Sequence, residues 1–134
     1  MPGAVARFWR EQPNRYNLIG TKCTNCDKVF FPPRDMCPKC HRMSIGKMET
    51  IQLAGKGKVV TYTVIHDSSD AFKIQIPYIM AIIEFDEGTC VTGQIVDCEP
   101  KDVEIGKHVH TVFRKIREDG KSGTIHYGYK FRLD

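Results

Sequence analysis

A chain of 134 residues with 20 Lys+Arg, 16 Asp+Glu and a formal net charge of +4 has room for one modest domain, or a small one with a stapled module attached. No apolar run approaches the ~20 residues that span a bilayer, and the N-terminus lacks a secretory signal, so a membrane protein is not expected. Cysteines without an export signal point to reduced thiols and the cytoplasm.

From the N-terminus, Val5, Phe8, Trp9 and Gln12 recur at three- to four-residue intervals, which predicts a short amphipathic helix stopped by Pro13. The Phe8-Trp9 pair is a candidate docking surface, although such a pair more commonly packs on its own core. Leu18-Ile19 then leads into Cys23-Thr-Asn-Cys26, matched after a ten-residue spacer by Cys37-Pro-Lys-Cys40. Each C-x-x-C pair turns two sulfurs inward on one tight knuckle. Two knuckles close a tetrahedron of soft ligands, which suits a structural zinc ion and leaves no open position for catalysis. Two disulfides or free core thiols would explain the intervals less well in so polar a run. A ribbon of about 30 residues buries too little to fold alone, so metal binding would supply its folding free energy. Between the knuckles, Val29-Phe30-Phe31 and Pro32-Pro33 form the ribbon's hairpin, where the prolines rule out helix.

The chain divides near residues 48–57, giving a helix and ribbon over 1–50 and a second unit over 51–134. Beyond Gly57 the pattern turns to period two. Strands are expected at Lys58–His66, Pro77–Phe85, Thr89–Val96, Val109–Ile116 and Thr124–Leu133. Asp86-Glu87-Gly88 makes a tight turn, Pro100–Val103 one helical turn, and 117–123 a polar loop. Gly93, in mid-strand, suggests a bulge or bend that curls the sheet. Five strands with a broken third connection describe an OB-fold barrel, making the chain mainly β. Spacing alone fits another five-stranded barrel or an open sheet as well. Cys90 and Cys98, beside strands, read as buried unpaired thiols.

Charge is unevenly spread: residues 1–50 carry net +5, residues 51–106 net −5 and residues 107–134 net +4. Basic ends fit either solvated faces or an anionic partner. No catalytic constellation stands out. His66-Asp67 are strand neighbours that point to opposite faces, and His108 and His110 read as polar positions at a strand start. Ser68-Ser69 lacks a nucleophile-elbow pattern, and Gly55-x-Gly57 lacks the third glycine of a dinucleotide site.

Several pieces occur together in order: the ribbon with Phe31-Pro32-Pro33-Arg34 between its knuckles, Gly55-Lys56-Gly57 opening a strand with Tyr62-Thr63-Val64, Pro77-Tyr78, Asp86-Glu87-Gly88, and Ile105-Gly106-Lys107-His108-Val109 before a closing aromatic strand. From Phe8 to Phe131 this resembles the family long catalogued as domain of unknown function 35. Its members have an N-terminal helix, a rubredoxin-like zinc ribbon and a C-terminal OB-fold. His41 follows Cys40 where many ribbons have Gly.

The resemblance implies an accessory protein without chemistry of its own, associated with thiolase-superfamily enzymes. The compact length looks most like the archaeal scaffold that holds acetoacetyl-CoA thiolase and hydroxymethylglutaryl-CoA synthase together in the mevalonate pathway to isoprenoids. On that reading the ribbon and the Phe8-Trp9 helix dock one enzyme and the barrel the other. Coenzyme A or an acyl-CoA is the shared ligand, its phosphates met by Arg34, Lys56 and Lys58, each of which also reads as solvated surface charge. Four thiolates would accept iron as well as zinc. The alternative from another class is a single-stranded nucleic-acid binder, with Tyr127, Tyr129 and Phe131 alternating as a stacking platform. The acidic middle speaks against a continuous track for it.

Overall fold

The computed structural model describes residues 5–118 and 120–134, with the backbone alone for Val5 and Ala71. The side chain of Val5, read as the first apolar position of the helix, therefore lies outside the described residues. The elements are helix α1 (Val5–Tyr16) and strands β1 (Ile19–Cys23), β2 (Val29–Phe30), β3 (Met48–Gln52), β4 (Lys56–Ile65), β5 (Tyr78–Phe85), β6 (Cys90–Val96), β7 (His108–Glu118) and β8 (Ile125–Leu133). Short 3-10 helices cover His41–Ser44, Asp70–Gln75 and Pro100–Asp102.

Helix α1 runs through Pro13 to Tyr16, where the sequence predicted a stop. Proline frees the carbonyl four residues back, and Pro13 sits on the exposed face, where water can satisfy that group. The last turn is tied by the Asn17 amide and the Asn17 side chain, both donating to the Pro13 carbonyl at 3.2 and 3.0 Å. Phe8, Glu11, Gln12, Arg15 and Tyr16 form the half-buried face, the spacing of one helical stripe. Glu11 bridges Arg7 at 3.2 Å and Arg15 at 2.7 Å along it.

Strands β2, β1 and β3 make the ribbon's sheet in that order, all antiparallel. Strand β3 was not foreseen: its residues Met-Glu-Thr-Ile-Gln expose three of five side chains and show no apolar alternation. The remaining strands close a barrel in the order β4-β5-β6-β8-β7 and back to β4, the OB-fold expected from the strand count. Pairing is antiparallel except between β6 and β8, which run parallel and pair only at Ile95–Phe131 and Val96–Arg132. The barrel is therefore thinly stitched along that seam.

Bulges fall at Val59/Thr61 and Lys115/Arg117, not at Gly93, which pairs in unbroken register with Ala81. Gly93 instead makes room for the Phe131 ring: a Cβ there would lie 2.6 Å from Phe131 Cδ2 and nearer still to Cε2. One apolar core serves both units. Leu18, Phe31 and Leu53 from the ribbon side cluster with Val59, Ile83, Phe85, Val109 and Phe131 of the barrel. The connection is also pinned by backbone bonds from Leu53 to Leu18 and from Thr111 to Gly55, and by Glu87 accepting from the Ala54 amide at 2.9 Å. Among the described residues no helix is long and apolar enough to cross a membrane.

Candidate functional site

Cys23, Cys26, Cys37 and Cys40 bring their sulfurs within 4.8 Å of one another. Tetrahedral zinc with Zn–S bonds of about 2.3 Å separates its sulfurs by roughly 3.8 Å. The observed Cys23–Cys40 and Cys26–Cys37 separations are 3.9 and 3.5 Å, so the cage has the size of a four-thiolate zinc site. The knuckles are built alike. Asp27 N–H donates to the Cys23 carbonyl at 2.7 Å and His41 N–H to the Cys37 carbonyl at 2.9 Å. Asp27 and His41, each just past the second cysteine of its pair, take positive φ angles of 61° and 51°. That left-handed turn is what a glycine at position 41 would adopt without strain.

Polar groups outside the four sulfurs hold the cage. Asn25 Nδ2 donates to Cys40 Sγ at 3.1 Å. The fully buried Ser44 accepts from the Cys37 amide at 2.9 Å and donates to the His41 carbonyl at 2.6 Å. The sulfurs also divide their protons unequally. At Cys37 burial works to raise the thiol pKa, yet the Cys40 and Lys39 amides and the Cys26 and Cys23 sulfurs hold it down to about 6. At Cys26 the Lys28 amide favours the thiolate, but burial and the three other sulfurs push the thiol up to about 12. Zinc, when bound, supplies the positive charge that lets all four ionise and locks the two knuckles together.

The other candidate residues separate. Phe8 lies edge-on against the His126 ring at 4.5 Å, whereas Trp9, one 100° step around α1, is 70% exposed. Arg34 is exposed on the ribbon loop and stacks over the Phe30 ring at 5.6 Å. Lys56 and Lys58 are exposed at the start of β4, beside β7 at His110 and His108. His110 Nδ1 meets Asp134 Oδ1 at 2.6 Å, while His108 is exposed. Cys90 is exposed at the start of β6, contrary to its reading as a core thiol. Cys98 is half-buried, and burial with the Asp102 and Asp97 carboxylates pushes its thiol up, making it a poor nucleophile. Phe131 is fully buried, and Tyr129 packs against both Phe131 and Phe31, so two of the three rings read as a stacking platform face the interior, while Tyr127 is 40% exposed and stacks on the exposed Phe113 ring at 5.5 Å.

Along the β6–β8 seam lies a cavity of about 770 Å³ that the sequence did not announce. Phe8, Phe31, Phe72, Met80 and Ile116 supply apolar wall, and Lys130 lines it from β8.

Two family models match the chain: ChsH2, rubredoxin-like zinc ribbon domain, over residues 10–44, and ChsH2, C-terminal OB-fold domain, over residues 50–114. A Methanocaldococcus jannaschii protein named DUF35 domain-containing scaffold protein is 55% identical over 96% of this chain and 89% of its own length. A Methanothermobacter thermautotrophicus protein of the same name is 52% identical over 96% of this chain and 95% of its own. The chain belongs to the DUF35 family. Among solved structures, Ltp2-ChsH2(DUF35) aldolase is similar to this DUF35 chain with a TM-score of 0.70 and 27% identity, covering 99% of this chain and 96% of that one.

Sequence reasoning about this DUF35 chain found the four sulfurs but missed Ser44, Asn25 and Lys130. The first two carry no motif beyond lying within or just after a knuckle. Lys130 alternates with Tyr129 and Phe131 along the last strand, and that alternation gives no sign that a second layer covers its face.

Proposed function

We propose that the chain is a non-catalytic bridging subunit that holds acetoacetyl-CoA thiolase and hydroxymethylglutaryl-CoA synthase together. The acetoacetyl-CoA released by one would then meet the other at high local concentration, with no new chemistry required. The observation that carries this reading is end-to-end similarity to relatives named as scaffold proteins.

The surface is consistent with two docking faces. Large apolar side chains stand exposed on the ribbon (Met43, Ile45), on α1 (Trp9) and on the barrel (Ile74, Ile105). On this reading the ribbon and Trp9 engage one enzyme and the barrel the other, with aromatic anchors supplying most of the binding free energy. Arg34, Lys56 and Lys58 would receive the phosphates of a coenzyme A shared with a partner.

Size-exclusion chromatography with light scattering, on the two purified enzymes with and without the zinc-loaded chain, tests the proposal. A single species holding all three proteins is expected only when the chain is present. Trp9→Ala should release one enzyme and keep the other, and the triple Arg34→Ala, Lys56→Ala, Lys58→Ala variant should retain less coenzyme A in the complex. Separate elution of the two enzymes in the presence of the chain would sink the bridging role. Co-elution of the chain with a single-stranded oligonucleotide instead would put nucleic-acid binding in its place.

A further inference from the structure

We propose that the cavity along the β6–β8 seam is a binding site for an amphipathic anion, an apolar body with one anionic head, whose head is anchored by Lys130. The inference stands apart from the bridging role, because it concerns a site formed within the isolated chain.

Lys130 is only 7% exposed although it is a lysine. Its ammonium carries three donors, and among the described residues it meets a single acceptor, Gln75 Oε1, at a long 3.3 Å. Gln75 is held in that orientation by its own Nε2, which donates to the Ile116 carbonyl at 3.4 Å. Among the described residues no carboxylate pairs with Lys130. Burial and the neighbouring positive charge of Arg114 both push its pKa down, as expected of a cation with no counter-ion. A buried charge of this kind is costly unless something pairs with it.

The rest of the wall indicates what that partner is. Arg7, Arg15 and Arg117 line the same cavity, and the one carboxylate among the described lining residues, Glu11, is already shared between Arg7 and Arg15. The charged part of the lining is therefore net positive, and its other polar groups, Thr92 and Gln94 among them, are neutral. Elsewhere it is aromatic and aliphatic, from Phe8, Phe31, Phe72, Tyr78, Met80 and Ile116. The volume of about 770 Å³ falls within the range of ordinary small-molecule sites. A neutral apolar ligand would leave Lys130 unpaired. A small inorganic anion would leave the apolar wall wet. An amphiphile with a single carboxylate or phosphate head satisfies both.

Isothermal titration of the full-length, zinc-loaded chain with decanoate, decyl phosphate and decanol, each below its critical micelle concentration, tests this. At least one of the two anions should bind about tenfold tighter than decanol, the gain of a charge-assisted hydrogen bond in a partly buried site. Which of the two binds better identifies the head group. Lys130→Met should abolish the advantage of the anion while leaving decanol binding in place. Gln75→Glu provides a control that keeps the lysine: it gives Lys130 an internal counter-ion, so anion affinity should fall about tenfold while the thermal midpoint holds or rises. The proposal is overturned if no amphiphile binds, if decanol binds as tightly as both anions, or if neither variant changes the affinity of the anion.

Discussion

Gly93 has no space for even a methyl group, and the reason lies in a strand far along the chain. Its missing Cβ is where the Phe131 ring packs, and Phe131 is fully buried. Gly93→Ala is therefore expected to overpack the barrel and destabilise it by about 1–3 kcal/mol. Urea unfolding followed by far-ultraviolet circular dichroism reads this directly, and an unchanged midpoint would mean that the ring relocates freely. The sequence reading of Gly93 as a bulge failed for a general reason. Glycine in a strand reports that a side chain is absent, and only the fold reveals what fills the gap. The burial of Lys130 was illegible for a related reason: strand alternation puts Lys130 and Arg132 on one face. Arg132 is exposed, but Lys130 is covered by the Asp70–Gln75 turn whose Gln75 bonds it. Alternation separates faces of a sheet and carries no information about a second layer laid over one of them.

At the level of elements, strands that bury one face were legible. The expected Lys58–His66 and Pro77–Phe85 became β4 at Lys56–Ile65 and β5 at Tyr78–Phe85, because β-branched and aromatic residues fit a half-buried pleat whatever the topology. The helical turn expected at Pro100–Val103 forms at Pro100–Asp102, opened by reciprocal capping between Glu99 and Asp102. Strand β3 was illegible because its order comes from five residues of pairing with β1 rather than from its own burial. The ribbon is accordingly poor in core: β2 has two residues, and β1 and β3 five each. Such a sheet depends on its metal. Stripping zinc with a strong chelator under reducing conditions should cost several kcal/mol and lower the thermal midpoint by roughly 10 °C or more. Amide exchange should quicken first in β1 and β3. Cys37→Ser should behave alike, whereas an unchanged midpoint after verified metal loss would assign the ribbon's stability to protein contacts alone.

For the molecule as a whole, the decisive side chain is Phe31, which projects from the ribbon between the two knuckles into the barrel. Its ring meets Phe85 at 6.2 Å and Tyr129 at 5.5 Å, both edge-on, and Leu18 and Leu53 complete the joint. In the sequence Phe31 stood out as part of an ordered set of family residues, but nothing local stated that it links two units, since the rings it touches come from β5 and β8. A bridging protein needs its docking faces fixed relative to one another, because a slack joint spreads the bound enzymes over many orientations and dilutes the effective concentration that the bridge provides. Phe31→Ala is expected to cost about 3–5 kcal/mol from the lost ring and the cavity left behind. It should also split unfolding into two steps, with zinc release, followed by a metal-sensitive dye, preceding loss of the barrel's circular dichroism. Each enzyme should still bind the variant singly at 20 °C, while the three-component complex weakens more than either pair. Coincident zinc release and barrel melting in Phe31→Ala would show that the linker bonds around Leu53–Gly55 suffice to couple the two units.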